Sequence, residues 1–394
     1  MAPTLSYVII TPYTIAKSRT GGVIARLLSR TDLELVGTQI IAPDESFVRE
    51  YAASLRDQER RNPSTAGELL ATYVENNFNP SGGRKHRFLL FMFRGENACE
   101  KLTEITGAFF PKVRSSENIY GQTIRDTYGE YIVDYDDHHK IIYFEPAVLA
   151  PRRQDLSEEN MAIFVRHFKN IDNIVRNLSY PDQSKIEQTL VILKPDNWKY
   201  SSSRPGNVIE MFSRTGLRII ATKVLRFSLN QAMQFYAPAE TVLQEKLAPV
   251  LGHKAKEILE REFSLALSPK TEKYLSKYFG LEYAEEQFYQ LLEFMSGRRP
   301  DTCRTLDEAE KPGDVKCMII VYEGENAVQK IRNVLGPTDP LKAPQGTVRR
   351  EFGSNIMINT AHASDSHESY EREKLIVKTE ENSLVSIIRE HLGR

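Results

Sequence analysis

The stretch LVILKP at residues 190–195 decides the fold, because it repeats the pattern of YVIITP at residues 7–12. Each stretch is a short apolar run that ends at a proline, which predicts a buried β-strand followed by a turn. A helical segment that begins with glycine and a second apolar strand follow each stretch, over residues 22–36 and 206–222. The chain therefore contains two copies of one structural unit.

The repeat continues further along both copies. FMFRGENA at residues 91–98 matches IVYEGENA at residues 320–327, and Tyr51 and Tyr236 fall on matching helices. Each copy reads strand, helix, strand, helix, strand, helix, strand, which is typical of an antiparallel sheet covered by helices. We predict an α+β protein made of two tandem ferredoxin-like (βαββαβ) antiparallel-sheet domains.

The length of 394 residues suits two domains. We place the first copy at residues 1–150, a helical connector at 151–186 and the second copy at 187–394. Helical spacing between about residues 239 and 286 of the second copy, without a counterpart in the first, predicts a helical insertion there.

Composition excludes several classes of protein. The 52 basic and 53 acidic residues leave a formal charge of −1, so we expect no nucleic-acid partner and no anionic membrane partner. The three cysteines, Cys99, Cys303 and Cys317, lack the spacing of a disulfide framework or a zinc site. The sequence has no positively charged leader before an apolar run and no apolar stretch of membrane-spanning length, so we expect a cytoplasmic soluble protein.

A histidine in the second copy is the leading candidate for chemistry. His362 lies in NTAHASDS, residues 359–366, where an apolar strand gives way to small residues and then to a helix. A helix start offers free backbone donors, and small neighbours allow a phosphate to approach. Imidazole attacks phosphorus near neutral pH when its other nitrogen is held, and Glu373 on the following helix could hold it. A lone histidine is more often structural, so the assignment depends on its companions.

Those companions resemble the nucleoside diphosphate kinase family. The likeness runs from Thr189 to about Val377, interrupted by the helical insertion, and the family signature is a nucleophilic histidine in an Asn-x-x-His-x-Ser-Asp-Ser setting. By this resemblance Lys194 is the phosphate-binding lysine, Tyr236 approaches the nucleophile, Glu373 orients it, and Ser364 lies beside it. Read without the resemblance, Lys194 is a surface residue and Tyr236 belongs to a helix core.

The resemblance also supplies a nucleotide site. Two guanidinium groups and a hydroxyl suit a polyphosphate, since arginine can donate two parallel hydrogen bonds to one phosphate. Phe288 and Leu291 are candidates for stacking on the base but would serve equally well as helix core. The predicted nucleotide-binding residues are Lys194, Phe288, Leu291, Arg332, Thr338, Arg349, Ile356 and Asn359, the last as a contact to the sugar.

The implied activity is ping-pong transfer of the terminal phosphate of a nucleoside triphosphate to a nucleoside diphosphate through His362. The implied cofactor is Mg²⁺, carried by the nucleotide phosphates without protein ligands, and family members often form homo-oligomers. The alternative is a nucleotide-binding scaffold or sensor without turnover. No Walker loop occurs, and the glycine pair at residues 81–84 indicates a short turn.

The first copy departs from the family pattern. Thr11 replaces the lysine and Thr103 replaces the first arginine, while Arg125 retains the second. Counting ten residues from the matched aromatics Phe352 and Tyr128 places His138 in the position of the nucleophile. Because the residues around it do not follow the motif, we interpret this half as a degenerate and inactive partner.

Overall fold

A computed structural model describes residues 2–62, 66–109, 121–134 and 140–393. The chain divides into two compact units: the first holds Met1–Val224, Met318–Lys374 and Lys378–Arg394, and the second holds Leu225–Cys317 and Leu375–Val377. This division differs from the predicted boundaries, because both copies of the repeat contribute their sheets to the first unit. No helix in the described ranges is long and apolar enough to cross a membrane.

The first half of the chain builds one four-stranded sheet, a hairpin and seven helices. The four-stranded sheet has the order β2-β3-β1-β6, and β4 and β5 pair separately as a hairpin. The strands are β1 (Thr4–Ile10), β2 (Glu34–Ile41), β3 (Phe88–Gly95), β4 (Glu130–Asp134), β5 (Lys140–Glu145) and β6 (Val148–Leu149). The helices are α1 (Pro12–Ala16), α2 (Thr20–Ser29), α3 (Glu45–Arg61), α4 (Gly67–Phe78), α5 (Ala98–Thr106), α6 (Ile124–Tyr128) and α7 (Gln154–Phe168).

The second half builds another four-stranded sheet, with the order β10-β7-β9-β8. Its strands are β7 (Ile186–Leu193), β8 (Arg218–Leu225), β9 (Cys317–Glu325) and β10 (Ala361–Ala363). Its helices are α8 (Arg204–Ser213), α9 (Leu229–Val242), α10 (Ala248–Phe263), α11 (Pro269–Leu275), α12 (Leu281–Ser296), α13 (Leu306–Glu310), α14 (Ala327–Leu335), α15 (Val348–Phe352), α16 (His367–Ile376) and α17 (Leu384–Leu392).

Both four-stranded sheets follow one order. When the strands of each sheet are counted in chain order, the first strand lies between the fourth and the third, and the second lies at the edge. The pairings of β1 with β3 and β6, and of β7 with β9 and β10, are antiparallel. The predicted α+β class with antiparallel, ferredoxin-like sheets is confirmed at this level.

Within the first unit, matching residues of the two halves meet one another. A Cβ atom on Gly21 of α2 would lie 2.6 Å from the carbonyl oxygen of Gly206 of α8, and one on Gly206 would lie 2.4 Å from the carbonyl oxygen of Gly21. Only glycine permits this approach of two backbones. The hydroxyls of Thr38 on edge strand β2 and Thr222 on edge strand β8 are 3.1 Å apart. Reciprocal contacts of this kind are typical of an interface with two-fold symmetry.

An extended apolar cluster covers one face of the first sheet. Aromatic residues of α3 and α7, including Phe47, Phe164 and Phe168, pack with Tyr7 of β1. Leu384 and Ile388 of the C-terminal helix α17 belong to the same cluster. Helix α7, which lies in the predicted connector, therefore forms part of a core.

The second compact unit is mainly helical. The π-helical stretch Leu243–Leu247 continues α9 into α10, and the stretch Ser276–Gly280 continues α11 into α12. The resulting long helices pack closely where Gly280 meets the carbonyl oxygen of Ala248. These helices include the predicted helical insertion at residues 239–286 except for residues 264–268, which join α10 to α11.

Candidate active site

Strand pairing brings His362 and Lys194 to one end of the second sheet. His362 on β10 lies opposite Ile192 on β7, and Lys194 follows two residues later. The Lys194 N–H donates to the Thr360 carbonyl oxygen at 2.9 Å, which continues the pairing beyond the strand. Because side chains two residues apart share a face of a sheet, the imidazole and the ammonium group are neighbours.

A buried carboxylate holds the His362 ring. Its Nε2 lies 3.0 Å from Oε1 of Glu373, a residue that is 2% exposed. The other carboxylate oxygen accepts a hydrogen bond of 2.7 Å from Ser364 Oγ, which fixes the carboxylate in turn. A carboxylate accepts hydrogen bonds, so Nε2 carries the proton and the lone pair of the neutral ring lies on Nδ1.

Lys194 is held by the loop before β10. Its Nζ donates to Asn359 Oδ1 at 2.7 Å and to the Met357 carbonyl oxygen at 3.2 Å, and the residue is 6% exposed. The Asn359 amide nitrogen donates to the carbonyl oxygens of Thr338 and Ile356 at 3.0 and 2.7 Å. Asn359 thus positions Lys194, and its contact with a sugar stays a prediction.

The two predicted arginines join the loops on either side of His362. Arg332 of α14 donates to the Asp365 carbonyl oxygen at 2.9 Å, and Arg349 of α15 donates to the carbonyl oxygens of Gly336 and Ala361 at 3.0 and 3.1 Å. A hydrogen bond from Ser369, together with the nearby charges of Arg332 and His362, holds the pKa of the Asp365 carboxyl below its usual value. Thr338 and Ile356 are exposed.

Comparisons with known proteins match this half of the chain. The model of the family "Nucleoside diphosphate kinase" matches residues 187–244 and 269–382. The nucleoside diphosphate kinase of Paracoccus denitrificans is 30% identical over 189 residues, which are 48% of this chain and 90% of that protein. This chain belongs to the nucleoside diphosphate kinase family. The enzyme of Methanocaldococcus jannaschii is likewise 30% identical over 196 residues, 50% of this chain and 96% of that protein.

Solved structures from the family are also similar. One is an NDP kinase from Pyrobaculum aerophilum, 26% identical, covering 48% of this chain and 94% of its own, with a TM-score of 0.33. The family match leaves out residues 245–268, a segment that is narrower than the predicted insertion of 239–286 and that contains the whole of α10.

Three predicted site residues belong to the second compact unit. Tyr236 lies on α9 and is 8% exposed, and Phe288 lies on α12 and is 3% exposed. Leu291, also on α12, is half-buried. For Phe288, the burial agrees with the helix-core role, which was one of the two alternatives.

Sequence reasoning missed Arg204, which supports the strand that carries His362. Its Nη2 donates to Asp196 Oδ2, to the Phe352 carbonyl oxygen and to Thr360 Oγ1 at 2.5, 2.9 and 2.7 Å. Thr360 has a φ of 75°, a left-handed conformation that is costly for a β-branched residue and needs such support. The acidic Asp196, directly after Lys194 and Pro195, was the one sequence signal of a paired cation here, but the spacing of residues did not identify Arg204 as its partner.

The first half holds a different residue in the position of the nucleophile. Arg125 donates to the carbonyl oxygens of Gly107 and Val148, as Arg349 does to those of Gly336 and Ala361. Leu149, which follows Val148 and lies opposite Ile9, therefore corresponds to His362.

The count that placed His138 in this position is wrong, because the hairpin of β4 and β5 lies between Tyr128 and the last strand of the sheet. His138 itself lies outside the described residues. Thr103 does match Arg332 in position. The backbone carbonyl oxygen of Thr103 accepts the N–H of Gly107 at the end of α5, and that of Arg332 accepts the N–H of Gly336 at the end of α14.

Proposed function

We propose that the protein is a nucleoside diphosphate kinase, which transfers the terminal phosphate of a nucleoside triphosphate to a nucleoside diphosphate through a phosphohistidine at His362. The observation that carries the proposal is the hydrogen-bonded chain from His362 through the buried Glu373 to Ser364. A carboxylate in this position fixes one tautomer of the ring and stabilises positive charge that develops on it. Membership of the family supports the same activity.

The tautomer defines the proposed steps. Nδ1 of His362 attacks the terminal phosphorus in line, the N–P bond forms, and the bond to the bridging oxygen breaks, so that the diphosphate leaves. The Nε2 proton stays with the ring and is held by Glu373. In the second half-reaction an oxygen of another nucleoside diphosphate attacks the phosphorus, the N–P bond breaks, and neutral imidazole is restored.

Three cations would meet the phosphates. Lys194 is a compact charge two residues beyond the partner of His362, and Arg332 and Arg349 bracket the loop that follows α14. They would stabilise charge on the oxygens of the transferred group. Mg²⁺ would enter bound to the substrate phosphates, where it neutralises part of their charge. The exposed Ile356 is a candidate to contact the base, and oligomer formation remains an expectation from the family.

We also propose that the chain is a tandem pair in which the first half has lost its site. The shared strand order and the matching hydrogen bonds of Arg125 and Arg349 support the duplication. Around Leu149 the first half has a cavity of only about 30 Å³, which is bounded by Arg152, Leu156 and Asn160 of the connector. A cavity of this volume accommodates only water-sized molecules, so it has no room for a nucleotide.

Phosphoryl transfer from labelled ATP tests the proposal. We expect the full chain to acquire an acid-labile, base-stable label and to exchange phosphate between ATP and GDP. His362→Ala should lose both properties. His367→Ala is the matched control, because this exposed histidine lies five residues away on α16. Label that survives in His362→Ala contradicts the proposal, and nucleotide binding without exchange in the unaltered chain favours the scaffold alternative.

A further inference from the structure

The first unit contains a second concave surface that shares no residue with the candidate active site. We call it the basic cleft. Its volume is about 650 Å³, and it lies between residues 15–21, 84–87, 178–181 and 209–219 together with Tyr322. A space of this size suits a small molecule of nucleotide dimensions and is larger than a single phosphate needs.

The lining of the basic cleft is strongly cationic. Among the residues that the structure describes, Arg84, Lys85, Arg87 and Arg218 line it, and no carboxylate does. The whole chain has nearly equal numbers of acidic and basic residues, so this concentration is a local feature. Across the part of the chain that the structure describes, none of the four cations forms an ion pair. Within these described residues, no directly paired carboxylate therefore neutralises their charges.

Backbone carbonyls hold three of these side chains in place. Lys85 Nζ donates to the Arg176 carbonyl oxygen at 2.8 Å, and Arg218 Nη1 donates to that of Ser179 at 2.9 Å. Arg87 donates to the carbonyl oxygen of Ile219. A carbonyl oxygen orients a cation without cancelling its charge, so these bonds leave the other donor groups available for an anion.

Two of the cations oppose each other in a partly buried position. Burial and then the nearby charge of Arg218 lower the pKa of Arg87 to about 10. The carboxylate of Glu323 has a smaller opposite effect, and it accepts hydrogen bonds from Tyr180 and Gln188 at 2.9 and 2.7 Å. An anion between the two guanidinium groups would relieve their repulsion.

A tight turn presents the remaining two cations. Gly82 and Gly83 have φ values of 56° and 72°, and Ser81 and Arg84 exchange backbone hydrogen bonds across them. Positive φ at both central residues is typical of a type I′ turn. The glycine pair that the sequence indicated only as a turn thus places Arg84 and Lys85 at the rim of the basic cleft.

We propose that the basic cleft binds a polyphosphate, the chemistry shared by inorganic pyrophosphate and the nucleoside di- and triphosphates. Guanidinium groups from β8 and from the segment before β3 would each offer parallel donors to phosphate oxygens. The cleft is separate from His362, so its occupant is bound and not turned over.

Calorimetric titration of the full chain with pyrophosphate and, separately, with ADP tests the proposal. Neither probe donates a terminal phosphate to His362 in the proposed reaction. The test variant is the double substitution Arg84→Gln and Lys85→Gln, at two exposed positions. The matched control is Lys254→Gln with Lys273→Gln, which removes the same charge from exposed positions of the second unit.

We expect the test variant to lose one bound ligand per chain, or to bind it at least tenfold more weakly, while the control binds as the unaltered chain does. Loss of pyrophosphate binding means that the phosphates suffice for recognition, and loss of ADP binding alone means that the nucleoside contributes. Equal stoichiometry and affinity in the test variant and the unaltered chain overturn the proposal. Failure of nucleotide exchange at His362 would leave this comparison unaffected.

Discussion

Replacing Glu373 by glutamine tests the proposed role of the carboxylate. The substitution keeps the size of the side chain but removes the charge that accepts from His362 Nε2 at 3.0 Å in a position that is 2% exposed. A hydrogen bond that involves a charged group contributes about 1.5–3 kcal/mol. At about 1.36 kcal/mol per factor of ten, its loss from the transition state predicts a kcat lower by roughly 10- to 150-fold.

The assay is steady-state exchange between ATP and GDP, together with the rate at which the labelled phosphoenzyme forms. We expect the nucleotide KM to change little, because the side-chain contacts of Glu373 are with the His362 ring, Ser364 and Arg372. Glu371→Gln is the control, since Glu371 lies on the same helix and its side chain is 44% exposed. A Glu373→Gln protein that matches the wild type in both rates would refute the assigned tautomer.

Three further predictions concern stability. Arg204→Ala should lower the free energy of unfolding by about 2 kcal/mol, because the Asp196 side chain, which is only 8% exposed, would lose its cationic partner. Urea titration measures this change, and an unchanged midpoint of unfolding would contradict the prediction. Burial raises the pKa of the Glu145 carboxyl above 4.5, so the folded protein binds that proton more tightly than the unfolded chain and loses stability as the pH rises. The free energy of unfolding of Glu145→Gln relative to the wild type should therefore rise between about pH 4 and pH 7, and a difference that stays constant with pH in denaturant titrations would oppose this reasoning. Gly206→Ala should lower the free energy of unfolding by about 1–3 kcal/mol, because the added methyl group would lie 2.1 Å from the backbone nitrogen of Ala25 on α2. An unchanged melting temperature would contradict this prediction and would show that α2 and α8 move apart at no cost.

Local patterns predicted the elements that carry the chemistry. The apolar run of residues 190–193 is a strand, and Lys194 follows it, as its sequence indicates. Glu373 could be assigned to the His362 ring because both lie in one short segment, with the start of a helix between them. Patterns of this kind need only neighbouring residues, and they are therefore visible in one sequence.

Features that depend on distant residues could not be predicted. Arg204 bonds with partners 148 and 156 residues away, and no periodicity joins them. The last strand of the first sheet has only two residues, Val148 and Leu149, which is too short for a periodic signal. Counting from Tyr128 therefore reached His138, because nothing in the sequence separates the hairpin of β4 and β5 from the strands that the two sheets share.

The close approach of Gly21 to Gly206 joins the two halves of one chain, and this affects how the halves stay associated in dilute solution. Two separate subunits part when their concentration falls, whereas two halves of one polypeptide keep a high effective concentration at any dilution. The half that carries His362 thus always retains the same neighbour, in a fixed ratio of one to one. A neighbour that cannot be exchanged can lose its own chemistry and still supply the packing surface of α2.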